Sequence, residues 1–132
     1  MKELKIIIEK SVDFYDAYAL NCPGIYGAGD TVETAKENVL EGLKLFIERQ
    51  QTDDLPEILK SEYKIVYKYD TQSFLNYYDN IFSKVALEHM TGINQKQLHH
   101  YASGLKKPRQ EQRKKIETAL HKLGEELLAI EL

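Results

Sequence analysis

Residues 83–104 read SKVALEHMTGINQKQLHHYASG, and their pattern organises the second half of the chain. Two runs with helical spacing of apolar residues flank Gly92, which permits the positive φ of a tight turn. We expect Ile93 to fill the angle between the two helices and Asn94 to cap the second helix. Gly104 is expected to end that helix. The stretch therefore predicts two helices joined by a short turn.

Apolar side chains in this stretch are spaced so that each helix buries one face. The small Ala86 lets the second helix approach the first closely. The predicted core positions are Val85, Ala86, Met90, Leu98 and Tyr101 or Ala102.

The polar residues of the second helix suit contacts with DNA. The whole stretch resembles the helix-turn-helix of phage-repressor (Xre-type) regulators, whose second helix enters the major groove. Glutamine and lysine bond well to base edges, so we favour Gln95, Lys96 and His99 for base contacts. Basic residues before and after the helix suit phosphate contacts, although a solvated surface is the alternative for each. The predicted DNA-binding residues are Lys84, Gln95, Lys96, Gln97, His99, His100, Lys106, Lys107 and Arg109.

Further helices are predicted on both sides of this pair. Residues 73–79 form a first helix with Phe74 facing inward. Residues 110–123 form an amphipathic helix that packs on the pair through Ile116 and Leu120, and Gly124 is expected to interrupt it. Residues 127–132 are mostly apolar, so we expect them to pack at a dimer interface as a helix extension or a strand.

The first half reads as a small sheet with one helix. Alternating apolar residues predict strands over residues 3–9, 14–20, 25–28 and 62–69. In the first strand Leu4, Ile6 and Ile8 share one face. Apolar residues at three- and four-residue steps predict a helix over residues 32–49, with Asp30 and Glu33 as its capping arrangement. Residues 50–55 form a polar connection that Pro56 closes. The order is β-β-β-α-β, with the helix covering one face of the sheet.

Residues 20–39, LNCPGIYGAGDTVETAKENV, are similar to the signature of HicB-type antitoxins. In that family a strand ends in an Asp-X-Pro-Gly turn, and a short strand, Gly-Asp-Thr and a helix rich in Ala and Glu follow. Asn21 departs from the pattern, because an acidic residue is commoner there. The resemblance implies an α+β protein: a partial ribonuclease-H-like domain over residues 1–70 and an all-α helix-turn-helix domain over residues 71–132. It also implies that the first domain binds a HicA-like ribonuclease toxin.

Tyrosines are concentrated in the first half, which holds six of the nine. Strand tyrosines are favoured by packing alone, so burial in the sheet is one interpretation. On an exposed face they would anchor a protein interface, and an acidic surface would suit a basic RNA-cleaving toxin. The predicted toxin-binding residues are Tyr15, Asp16, Tyr18 and Tyr26.

Charge is divided unevenly along the 132 residues. Residues 1–79 carry nine Lys or Arg against fifteen Asp or Glu, whereas residues 80–132 carry nine against six. A basic second half suits nucleic acid, and an acidic first half suits a different, basic partner. Two solvated faces of a compact fold are the alternative.

Composition excludes several classes of protein. With 42% apolar and 30% charged residues the chain is typical of a globular domain, and no apolar run is long enough to span a bilayer. The N-terminus does not read as a secretory signal, so we expect a cytoplasmic protein. Cys22 is the single cysteine, which excludes an internal disulfide framework.

An enzyme is not expected. A ribonuclease-H site needs several carboxylates converging on metal ions. Among the candidates, Asp13, Asp30 and Glu33 fit turn or cap positions, which leaves Asp16 alone. His99 and His100 point apart on a helix and lack other metal ligands around them. We therefore expect no catalytic residue, no metal and no cofactor.

The leading hypothesis is an antitoxin that inhibits a HicA-like ribonuclease and represses its own operon by binding operator DNA as a homodimer or tetramer. The alternative is a stand-alone transcriptional repressor whose first domain senses a ligand or oligomerises. A nuclease comes third.

Overall fold

The structure is a computed structural model that describes residues 1–51 and 54–132, and it divides into two compact units, Met1–Ser73 and Phe74–Leu132. The first unit combines a four-stranded mixed sheet with helices, and helices build the second. The predicted α+β class is confirmed. The boundary predicted after residue 70 lies a few residues before the observed one. Thr52 and Asp53, within the predicted connection of residues 50–55, lie outside the described residues.

Four strands form the sheet of the first unit. They are β1 (Lys2–Lys10), β2 (Tyr15–Ala19), β3 (Tyr26–Gly29) and β4 (Tyr63–Tyr69). Their order across the sheet is β3-β2-β1-β4, with β1 antiparallel to β2, β2 antiparallel to β3, and β1 parallel to β4. Helix α1 (Val32–Arg49) follows β3, and a short helix that we did not predict, α2 (Glu57–Lys60), precedes β4.

Helix α1 packs on one face of this sheet. Leu4, Ile6 and Ile8 are fully buried on that face, as predicted from their alternation. The helix lies so close to β3 that a Cβ atom on Gly27 would be 2.3 Å from the backbone nitrogen of Val39. Because only glycine fits such an approach, Gly27 lets α1 rest directly on the strand.

The N-terminus of α1 is capped by a different residue from the one we predicted. The Thr31 hydroxyl oxygen accepts a hydrogen bond from the backbone N–H of Thr34 at 3.1 Å, in place of the expected Asp30 cap. Val32 is buried and fixes the start of the helix, so the residue before it takes the cap position. Glu33 lies in the first turn, where the helix dipole favours a carboxylate.

The second unit contains α4 (Lys84–Thr91), α5 (Gln95–Ser103) and α6 (Gln110–Leu128). Helix α3 (Thr71–Tyr77) lies at the boundary between the units. One apolar core joins these helices. Its buried residues are Leu75, Leu87, Ile93, Leu98, Tyr101 and Ile116.

One predicted core position near the start of this unit, Val85, was wrong. Val85 is 60% exposed, whereas Leu87 is only 2% exposed. Residues two apart point about 200° away from each other around a helix, so only one of the two can face the core. In α3 Phe74 packs against the core as predicted, although the fully buried side chain of that helix is Leu75.

Helix α6 runs through Gly124, where we predicted an interruption. A glycine inside a helix costs about 1 kcal/mol relative to alanine, which the flanking turns outweigh here. Ile116 and Leu120 contact the core as predicted. The chain is helical as far as Leu128 and irregular from Ala129. In the described part of the chain, neither α6 nor any other helix is long and apolar enough to cross a membrane.

Candidate functional site

The turn between α4 and α5 has the geometry that its residues predict. Gly92 ends α4 with a φ of 78°, and its backbone N–H donates to the carbonyl oxygen of Glu88 at 2.8 Å. Ile93 is buried at the angle between the helices. The Asn94 side-chain oxygen accepts from the backbone N–H of Lys96 at 2.8 Å and caps α5. These contacts fix the direction in which α5 leaves the turn.

A carboxylate that we did not predict also holds the start of α5. The backbone N–H of Gln95 donates to Glu88 Oε2 at 2.8 Å, so two side chains satisfy two of the first N–H groups of the helix. The sequence contains one signal for this role. Glu88 lies in the second half of α4, where the helix dipole disfavours a carboxylate unless that carboxylate accepts a hydrogen bond from another element.

The predicted recognition residues of α5 divide by exposure. Gln95, Lys96 and His99 are exposed and point away from the core. Gln97 is partly buried, and its Nε2 donates to the Tyr101 hydroxyl at 3.0 Å. His100 is also partly buried. The three residues favoured for base contacts are therefore the three that α5 displays outward.

Lys84 is already paired within the chain. Its Nζ lies 2.9 Å from Asp79 Oδ1, and only 10% of its side chain is exposed. The pKa of the Asp79 carboxyl lies below its ordinary value because it accepts this hydrogen bond and lies beside the Lys84 charge. A phosphate would have to compete with Asp79 for this ammonium group.

The other predicted basic residues line a cleft of about 590 Å³ beside α5. Glu111 is the one carboxylate among the described residues that line the cleft, and four cationic side chains outnumber it. The first turn of α6 has no side-chain hydrogen bond at its N-cap, Arg109. Several cations and a helix N-terminus without a side-chain cap together favour an anion such as a phosphate. The cationic side chains are Lys106, Lys107, Arg109 and Lys115, of which Lys115 was not predicted.

Three of the four residues predicted to bind a toxin lie together on the sheet face opposite α1. Tyr18 and Tyr26 are direct neighbours across β2 and β3, and the Tyr26 hydroxyl donates to Asp16 Oδ1 at 2.7 Å. Asp16 also accepts a hydrogen bond from the Ser11 hydroxyl. These two bonds, that from Ser11 foremost, hold the pKa of the Asp16 carboxyl below its ordinary value.

Glu9 adds a second carboxylate to this group, and sequence reasoning missed it. It lies opposite Asp16 in the ladder between β1 and β2. Desolvation, together with a hydrogen bond to Glu9, raises the pKa of Tyr18. The two tyrosines and two carboxylates form a tyrosine–carboxylate patch (Glu9, Asp16, Tyr18 and Tyr26), in which Tyr26 is 56% exposed.

Tyr15 lies on the other face of the sheet, away from this patch. Strand alternation places it on the side of the buried Ala17, and the Lys10 ammonium stands 5.1 Å from its ring centre. The tyrosines of β4 also face α1, where the Lys36 ammonium lies 4.2 Å from the Tyr67 ring. The sheet face that remains open therefore carries Tyr18 and Tyr26.

Metal and thiol chemistry have little support in the described residues. In residues 1–51 and 54–132 no group of three or more His, Cys, Asp or Glu side chains is placed to hold a metal ion. Cys22 is fully buried, and this burial raises the pKa of its thiol. A raised thiol pKa disfavours the nucleophilic thiolate.

Comparison of the chain with models of protein families, with curated proteins and with solved structures gave no significant match.

Proposed function

We propose that the protein is an antitoxin that acts in the cytoplasm. In this proposal α5 binds operator DNA, and the open sheet face of the first unit binds and inhibits a HicA-like ribonuclease toxin. One observation carries the proposal: Gln95, Lys96 and His99 stand outward on a helix held by the turn at Gly92, beside a cleft of four cations.

The DNA-binding part follows from how the second unit divides its residues. Leu98 and Tyr101 anchor α5 in the core, so the outward side chains are held in a fixed direction. Side chains near the N-terminus of such a helix are the ones that reach base edges. Cations in the neighbouring cleft would set the position of the helix along the phosphates. Two copies would read half-sites about 34 Å apart on one DNA face.

The toxin-binding part is supported by the chemistry of the tyrosine–carboxylate patch. Tyrosine buries a large area at low entropy cost and is frequent at interface hot spots. The carboxylates of Glu9 and Asp16 lie side by side there, and a ribonuclease site that attracts phosphate is positively charged. The patch would therefore compete with RNA by charge and by shape. The similarity of residues 20–39 to HicB-type antitoxins points to the same class of partner.

RNA cleavage tests the toxin-binding part directly. The tagged full chain is used to isolate a small basic protein from native lysate, and RNA cleavage by that protein is measured with and without added full chain. We expect stoichiometric inhibition by the wild type and weaker inhibition by Tyr26→Ala. Leu40→Ala is the matched control, since Leu40 is an exposed apolar side chain on α1, away from this sheet face.

Equal inhibition by Tyr26→Ala and Leu40→Ala would show that the toxin does not bind at the tyrosine–carboxylate patch. If the tagged chain is isolated from the lysate only with other copies of itself and with DNA, the result would instead favour a stand-alone repressor, in which the first unit senses a ligand or oligomerises.

A further inference from the structure

A second groove, of about 720 Å³, lies between α4 and α6. Its lining combines uncharged side chains from both helices with lysines from α6. Glu111 also lines the groove, so its charge is net positive. Met90 and Ala119 are among the uncharged residues, and the lysines are Lys114, Lys115 and Lys122.

The end of α6 has the complementary character. Leu127, Leu128 and Ile130 are 56%, 89% and 58% exposed, so three large apolar side chains contact mostly solvent. Carboxylates flank them at Glu125, Glu126 and Glu131. We call residues 125–132 the apolar–acidic segment. The last turn of α6 contains the carboxylates of Glu125 and Glu126 and no basic residue, and the helix dipole disfavours negative charge at this end of a helix. Helix stability therefore does not account for these charges.

We infer that the apolar–acidic segment of one copy of this chain docks into the α4–α6 groove of a second copy. Apolar side chains would cover the uncharged lining around Met90 and Ala119, and the carboxylates would meet Lys114 and Lys122. Charge complementarity of this kind fixes register and orientation as well as affinity. The pairing is reciprocal, because two copies related by a twofold axis exchange two identical contacts.

The segment does not fill the groove of its own chain. Helix α6 is continuous through Leu128, so Leu127 lies about 7.5 Å further along the helix axis than Lys122, the last lining residue of the groove. Its apolar side chains remain exposed there. The groove is thus open to another copy.

This inference goes beyond the proposed function, since it holds whether or not the first unit binds a ribonuclease. It specifies how two α5 helices would be linked in a DNA-binding dimer. It also assigns a role to the lysines of α6 that lie outside the cleft beside α5, namely Lys114 and Lys122.

Reversing the charges of the apolar–acidic segment and of the groove tests this docking. The dimerisation constant of the full chain is measured by sedimentation for the wild type, Glu125→Lys/Glu126→Lys and Lys114→Glu/Lys122→Glu. Each variant places like charges on both contacts of a homodimer, so we expect dimerisation at least about tenfold weaker. A mixture of the two variants should recover the wild-type constant as a heterodimer, since each segment then faces a groove of opposite charge.

Lys44→Glu/Arg49→Glu is the control, because it reverses two exposed charges of α1 that lie outside the groove and outside the apolar–acidic segment. We expect it to dimerise as the wild type does. Wild-type dimerisation by both test variants would overturn the inference, as would a wild type that stays monomeric at every concentration reached. It would equally fail if the two variants, shown by circular dichroism to be folded, did not pair when mixed.

Discussion

The backbone N–H of Gln95 donates to the carboxylate of Glu88 at 2.8 Å, so a side chain of α4 holds the first turn of α5. This bond crosses the turn at Gly92 and ties the helix that we propose to enter DNA to the helix before it. The positions of Gln95, Lys96 and His99 therefore depend on a residue outside the proposed DNA-binding surface.

Glu88→Ala should lower the free energy of unfolding by about 1 kcal/mol, the usual cost of losing a helix-capping acceptor. DNA binding should weaken as well, because the start of α5 loses a contact that orients it. Glu88→Gln keeps an acceptor oxygen and serves as the control. Denaturant unfolding and a DNA titration of each variant check this, and equal loss in both variants would point to the charge rather than the bond.

Gly92 and Gly124 form a matched pair for testing backbone conformation. A Cβ atom at either position meets nothing within 4 Å, but of these two glycines only Gly92 has a positive φ. Gly92→Ala should therefore destabilise the protein by about 1–2 kcal/mol, the cost of the left-handed region for an L-residue. Gly124→Ala should stabilise it by up to about 1 kcal/mol, since the position is inside α6. Thermal unfolding of the two variants should shift in opposite directions, and a stabilising Gly92→Ala would refute the proposed turn.

The hydrogen bonds to Asp16 predict a dependence on pH in the first unit. A carboxyl group with a lowered pKa in the folded state contributes stability that is complete above its unfolded value of about 3.9 and is lost as pH falls through the lower folded value. Ser11→Ala and Tyr26→Phe should each raise the pKa of Asp16, with the larger rise for Ser11→Ala. Carboxyl NMR titration of the full chain measures this directly. An unchanged Asp16 pKa in both variants would show that neither hydroxyl bonds the carboxylate in solution.

Local chemistry explains why the turn of the second unit was predictable. Gly92, Ile93 and Asn94 each meet a requirement set by their immediate neighbours, namely a positive φ, a buried plug and a helix cap. The buried stripe of α1, which comprises Val32, Ala35, Val39 and Leu43, was predictable for a similar reason, since its residues recur at three- and four-residue steps.

Contacts between side chains of separate segments could not be predicted in this way. The pairing of Lys84 with Asp79 and the position of Glu9 beside Asp16 depend on how separate segments meet in space. The exposure of Val85 depends on the phase of α4, and a short helix with apolar residues on two sides does not settle that phase by itself. The open face of the sheet likewise became known only once β2 and β3 were placed, with Tyr15 on the opposite side.

The roles of residues within the proposed DNA-binding surface should be distinguishable by the dependence of binding on salt and on DNA sequence. Lys107→Ala should weaken binding to all sequences alike and reduce the slope of log affinity against log salt by about 1, because one phosphate contact is lost. Gln95→Ala should instead cost about 1–3 kcal/mol on the preferred sequence only. Anisotropy titrations at several salt concentrations distinguish the two. A sequence-specific loss in Lys107→Ala would place that residue at a base rather than at a phosphate.

Selection of DNA by the full chain tests the central claim most directly. The wild type, Lys96→Ala and a control, Lys64→Ala, are each incubated with a random duplex library, and the bound sequences are determined. We predict that the wild type and Lys64→Ala enrich one two-part motif with half-sites about one helical turn apart, and that Lys96→Ala loses or alters it. Enrichment of no motif by the wild type, or of the same motif by Lys96→Ala with undiminished affinity, would contradict DNA recognition by α5.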